Sequence, residues 1–148
     1  MPFRVEESIM IERPREEVWA YVLEHNDWRS PEVVEVRKLT DGPPGEGTRY
    51  EDRVQMMGRE LIVINEVRRF DPPRTMSWTQ VGDEGPAYTE EGSYELESVD
   101  GKTRFTLAAD YGAVGLWRLL VPLIKRQLQK DLYPRYLRQL KEHLERKE

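Results

Sequence analysis

The chain has 148 residues, 38% hydrophobic and 34% charged, with a formal net charge of −5, a length that fits one domain able to bury a core. The acidic balance argues against nucleic-acid binding, and the absence of cysteine removes disulfides, thiolate metal sites and a cysteine nucleophile. No apolar run approaches the roughly 20 residues that cross a bilayer, and the first residues lack the apolar core of a signal peptide, so the expected location is cytoplasmic.

Phe3, Val5, Ile9 and Ile11 alternate with Arg4, Glu6, Ser8 and Met10, which predicts a half-buried strand. Pro14 suits the first position of a helix, with Glu16 and Glu17 in its first turn and Val18, Trp19, Val22 and Leu23 on its buried side. That helix ends near His25 to Asp27, and Trp28 with Ser30 and Pro31 predicts a second short helical turn. Strands follow at Val33 to Leu39, Arg49 to Met56, Arg59 to Phe70, Thr75 to Val81, Ala87 to Val99 and Thr103 to Tyr111. They are separated by turns at Asp41 to Gly47, Met57-Gly58, Asp71 to Arg74, Gly82 to Pro86 and Asp100-Gly101. Val67 and Phe70 are both apolar at odd spacing, which points to a bulge. Neither an internal repeat nor a linker divides residues 1 to 148, so one domain is expected.

From Val114 onward the pattern changes to a long helix. Leu116, Leu120, Ile124, Leu128, Leu132, Tyr136, Leu140 and Leu144 recur every fourth residue. At about 100° per residue this repeat drifts by about 40° each step, so Leu116 and Leu140 cannot share one face of a straight helix. Pro134 also removes the bond to the carbonyl of Lys130, which predicts a kink or break between Lys130 and Pro134. The first half is expected to turn Trp117, Leu120, Val121, Ile124 and Leu128 to the sheet, and the second Tyr136, Leu137, Leu140 and Leu144. This part holds nine Lys or Arg against four Asp or Glu, a charge of +5, which leaves −10 on residues 1 to 113. A basic helix resting on an acidic sheet is the plain reading; contact of that helix with an anionic membrane surface is the sharper one.

Quoted together, several stretches carry a family resemblance: Ile11 to Trp19 (IERPREEVW), Trp28 after a short gap, Gly45 to Tyr50 (GEGTRY), Glu66-Val67 through Phe70 to Pro73, and Gly101 to Arg104 before the last strand. The chain resembles the SRPBCC superfamily, also called START-like or Bet v 1-like, and most closely its polyketide cyclase/dehydrase branch. The resemblance implies an α+β helix-grip fold: a curved seven-stranded antiparallel sheet wrapped around the long C-terminal helix, with two short helices after the first strand and a deep apolar cavity. Lipid carriers, aromatase/cyclases, ubiquinone-binding proteins and chaperone co-factors share that fold, so fold alone does not name a reaction.

Strand alternation selects the side chains that would line the cavity. These are Tyr50 and Met56 with Asp52, then Trp78, then Tyr88 and Tyr94 with Glu90, then Phe105 and Leu107. The helix adds Leu116, Trp117, Leu120 and Ile124, and Trp28 joins them near the first helix. Each aromatic is equally explained as ordinary core, since burying one stabilises by roughly 1.5 to 3 kcal/mol. Asp52 and Glu90 are the candidate catalytic pair, because a carboxyl on an apolar face has its pKa raised and can act as an acid or base. Pairing with Arg53, Arg59 or Arg69 is the plain alternative. His25 and His143 are the only histidines and have no companions at ligand spacing, so no metal site is expected, and no phosphate loop or serine-hydrolase motif occurs. The expected function is binding of a small hydrophobic molecule (a lipid, a quinone or a polyketide-like compound) without a cofactor, by a monomer or homodimer. The alternative is a polyketide aromatase/cyclase or dehydratase that moves protons with polar cavity residues.

Overall fold

Alternating side chains separated by tight turns produce one antiparallel sheet. Its strands are β1 (Phe3–Ile11), β2 (Val33–Lys38), β3 (Arg49–Met56), β4 (Arg59–Asp71), β5 (Thr75–Gly82), β6 (Ala87–Val99) and β7 (Lys102–Ala113). They lie in the order β1-β7-β6-β5-β4-β3-β2, so β2 to β7 form a meander and β1 adds beside β7. The computed structural model describes residues 3–24, 33–56, 58–82, 87–113 and 115–146. The second short helix expected around Trp28 lies outside the described residues.

Turn chemistry sets the register. Asp100 and Gly101 both take positive φ, 51° and 80°, the pair of left-handed residues that a two-residue hairpin needs, and Val99 pairs with Lys102 across it. The expected bulge in β4 is present, since the register with β5 shifts between Val67 and Arg69. Among the other register shifts, the one between Thr89 and Glu91 in β6 interrupts the alternation there.

Helix α1 (Arg15–Glu24) starts just after Pro14, whose carbonyl accepts the N–H groups of Glu17 and Val18. Val18, Trp19, Tyr21 and Val22 are buried. The C-terminal segment is interrupted as Pro134 requires, but not by a simple break. A 3₁₀ stretch (Gly115–Leu120) leads into α2 (Val121–Gln127), a π turn spans Leu128–Leu132, and α3 runs over Tyr133–Arg146. The Tyr133 N–H donates to the Leu128 carbonyl five residues back, which inserts an extra residue in the turn before the proline that lacks a donor. Pro122 is accommodated in the first turn of α2.

The core joins β1, β5, β6 and β7 to α1 and α3. Phe105, Ile11, Val5 and Val18 are sealed from solvent together with Leu137, Leu140 and Leu144 of α3. The described inward residues of β3 and β4, in contrast, are half-buried except for Val67. The helix therefore fills one half of the inner face and leaves the other half less covered. Removing a sealed side chain should cost far more than removing one of the exposed leucines of α2. Leu140→Ala is expected to destabilise by about 2 to 5 kcal/mol, and Leu123→Ala by less than about 0.5 kcal/mol. Urea unfolding of both variants checks this, and equal losses would mean the helix is seated differently.

Candidate functional site

Three aromatic rings cross the inner face from strand to strand. Trp78 on β5 lies 4.7 Å from Tyr94 on β6, and Tyr94 lies 5.4 Å from Phe105 on β7, measured between ring centroids. Gly92 makes the first of these contacts available. It pairs with Trp78 across β5 and β6, and a β-carbon there would collide with the indole atoms Cε2, Cζ2 and Nε1. The glycine thus lets the ring lie flat over the neighbouring strand, as aromatic cover of a strand glycine does elsewhere. Tyr94, Phe105 and Leu107 are buried, while Trp78, Tyr50 and Ile124 are half-buried around them.

A cluster of phenols stands between this ladder and the helix. The hydroxyls of Tyr111 on β7 and Tyr133 at the start of α3 hydrogen-bond to each other. Phe3 stacks on Tyr111 at 5.4 Å, and the Tyr136 ring is 6.1 Å from that of Tyr133. Loss of solvent pushes the Tyr111 phenol up to about 12, with the bond from Tyr133 opposing the shift. Tyr133 is pushed up as well, first by desolvation and then by Tyr111, with Tyr136 and Tyr94 acting in the same direction. Phenols held so firmly in the protonated state are hydrogen-bonding groups rather than bases near neutral pH.

A second polar group lies on the less covered half. Tyr50, Asn65 and Gln80 are paired in a row across β3, β4 and β5. The Asn65 side-chain amide donates to Asp52 Oδ2 at 3.4 Å, and Gln80 Oε1 accepts the Thr89 N–H at 2.9 Å. Asp52 is half-buried there, on the inner side as alternation predicts, with the Asn65 amide beside it. Arg53 instead faces Glu35 and Glu60 at 3.0 Å each.

Several predicted lining residues are placed elsewhere. Glu90 is exposed, not on the apolar side, because the β6 bulge leaves it out of register with β7. It borders a cleft of about 380 Å³ with Phe3, Arg4, Glu91 and Asp110, in which Arg4 is paired with Asp110. Leu116 and Leu120 are exposed as well. In a 3₁₀ stretch positions three apart eclipse, so the four-residue stripe is lost before α2 begins. Trp28 lies outside the described residues, as do the side chains of Met56, Tyr88 and Trp117. Tyr133 was not among the predicted lining residues. It is off the every-fourth-residue set, and only the π turn brings it beside Tyr111.

Known proteins share this architecture. The family model described as polyketide cyclase / dehydrase and lipid transport matches residues 2–145. The chain belongs to this family. Among curated proteins, none matches it by sequence. Its fold is that of the protein TTHA0849 from Thermus thermophilus (TM-score 0.78, 19% identity, 97% of this chain and 98% of that one). It is likewise that of the Zhui aromatase/cyclase from a Streptomyces species (0.75, 17%, 99% and 95%) and of a START superfamily protein from Mycobacterium smegmatis (0.76, 14%, 97% and 97%). The sheet and C-terminal helix are thus a helix-grip fold of the SRPBCC type, a fold typical of hydrophobic ligand-binding cavities.

The tyrosine cluster has an alkaline signature. Of the seven tyrosines, Tyr111 and Tyr133 should stay protonated beyond pH 10, where ordinary phenols titrate. The folded protein holds these protons more tightly than the unfolded chain. Stability should therefore be unaffected by them below about pH 10 and fall as pH rises toward about 12, by about 1.4 kcal/mol per pH unit for each group. Phenolate absorbance against pH, with Tyr133→Phe as control, checks this; one transition near pH 10 for all seven would show that water reaches the cluster.

Proposed function

We propose that this protein binds one small hydrophobic molecule, a lipid, quinone or polyketide-like compound, between the inner face of the sheet and the C-terminal helix. The observation that carries this reading is the unequal filling of the inner face. Aromatic and aliphatic side chains of β3 to β5 remain half-buried where the helix does not cover them, and a flat or chain-like apolar molecule would complete their burial. Protonated phenols at one side and the Tyr50, Asn65 and Gln80 row at the other would orient its polar groups by hydrogen bonds. No cofactor enters this reading.

A second reading, aromatase/cyclase or dehydratase chemistry, is favoured by one observation, the half-buried carboxyl of Asp52 beside Asn65. In that reading Asp52 is the proton-transfer group, and Tyr94 with its neighbouring phenols holds the carbonyl oxygens of a folded chain. Glu90, exposed on the bulge, is the weaker half of the candidate pair.

Native mass spectrometry of the purified protein, followed by denaturation and identification of what is released, tests the binding reading. A stoichiometric apolar compound is expected, and Trp78→Ala should weaken its binding by about tenfold or more, corresponding to about 1.4 kcal/mol. An empty protein that also ignores fatty acids, quinones and aromatic polyketides would overturn it. Turnover of a bound compound that survived Asp52→Asn undiminished would remove Asp52 from the second reading.

A further inference from the structure

Among the described residues, exposed apolar surface is concentrated in one place. Four of the seven exposed large apolar side chains among them fall between Leu116 and Leu123: Leu116 at 83%, Leu119 at 78%, Leu123 at 64% and Leu120 at 39%. Leu116 and Leu119, three apart, eclipse in the 3₁₀ stretch, and Leu120 and Leu123 carry the exposed side on into α2, while Val121, Ile124 and Leu128 pack partly against the core. Leaving such a patch in water is unfavourable, so it calls for a partner.

Charge says which partner. From Gly115 to Lys130 the chain carries Arg118, Lys125, Arg126 and Lys130 and no Asp or Glu, and all four cations are exposed. On the sheet, arginines are met by carboxylates: Arg37 by Glu51, Arg49 by Glu66, Arg53 by Glu35 and Glu60, and Arg104 by Glu97. Among the described residues, none of the four cations around the leucine patch has an ion-pair partner. Unmatched positive charge beside exposed leucine fits a surface that is anionic outside and apolar beneath.

We infer that residues 115–130 form a docking face for an anionic lipid bilayer, with Leu116, Leu119 and Leu123 entering the headgroup region and Lys125 and Arg126 meeting lipid phosphates. This is contact with a surface, not insertion across it, because among the described residues no helix is long and apolar enough to span. A second copy of the chain fits less well. A two-fold interface brings the same patch against itself and would gather the cations of both copies without a counter-charge. The asymmetry of +5 on residues 114–148 against −10 on the remainder also orients the molecule, helix toward the membrane and acidic sheet away. The inference stands whatever occupies the inner face.

Co-sedimentation with phosphatidylcholine vesicles containing about one-third phosphatidylglycerol tests it, beside vesicles of phosphatidylcholine alone. Binding to the anionic vesicles and its loss at high salt are expected. Lys125→Gln with Arg126→Gln should weaken partitioning roughly 25-fold, and Leu119→Ser with Leu123→Ser at least about tenfold. These side chains are exposed, so unchanged circular dichroism and thermal midpoint should accompany the loss. No sedimentation with anionic vesicles at low salt would overturn the inference, as would binding that both double variants leave intact. Sedimentation equilibrium showing a dimer that the leucine pair dissolves would assign the face to a second copy instead and overturn it too.

Discussion

The free edge of β1 is the constraint around which the helix is arranged. An unpaired strand edge exposes backbone N–H and C=O groups that invite another chain, and here side chains of the C-terminal segment take the place of an eighth strand. Gln129 donates its amide to the Glu6 carbonyl at 2.7 Å and accepts the Glu6 N–H at 3.3 Å, as a facing peptide group would. Farther along, Lys141 Nζ donates to the Met10 carbonyl at 2.8 Å, and Glu145 accepts the Glu12 N–H at 2.9 Å. The opposite edge, β2, is short and carries exposed Glu35, Arg37 and Lys38, a different answer to the same problem. Because polar side chains tie the helix along β1, its apolar face is directed onto the β1, β7 and β6 side, and the β3 and β4 side is left less covered.

The π turn reconciles these demands with Pro134. A straight continuation of α2 would need an N–H that proline does not have. By inserting an extra residue over Leu128–Leu132, the chain passes the gap, places Gln129 against Glu6 and re-aims α3 so that Leu137, Leu140 and Leu144 are buried. Tyr133, the first residue of α3, is thereby turned to the Tyr111 hydroxyl. A proline that would destabilise a regular helix is thus tied to the position of a part-buried polar contact on the inner face.

Much of this was legible in the sequence. Every strand falls within two residues of the expected boundaries, since alternation and turn residues are local signals read by the same backbone sterics that form them. The β4 bulge showed itself because Val67 and Phe70 are apolar at odd spacing. The β6 bulge gives no such sign: Thr89, Glu90 and Glu91 are all polar, so nothing marks which of them is the extra residue, and strict alternation puts Glu90 on the inner side, where the structure does not. The leucines from Leu116 to Leu123 misled for a related reason. Leucine at helical spacing predicts an apolar stripe but not the surface that covers it, and the 3₁₀ opening changes the period before the helix is established. Tyr133 was hidden because its environment depends on an irregular turn far more than on its neighbours in sequence.

The titration of inward groups also constrains the chemistry that this face could perform. Acid and base catalysis near neutral pH needs a group able to change protonation there, or two groups whose pKa values are driven apart. Tyr111 and Tyr133 are driven in the same direction, away from neutrality, so each favours the role of a fixed hydrogen-bonding group for a carbonyl or hydroxyl. With Glu90 exposed, Asp52 is the carboxyl of the proposed pair that remains on the inner face, where the Asn65 amide donates to it and orients it. On the phenol side, then, the inner face offers groups that hold and orient a polar atom rather than groups that exchange a proton near neutrality.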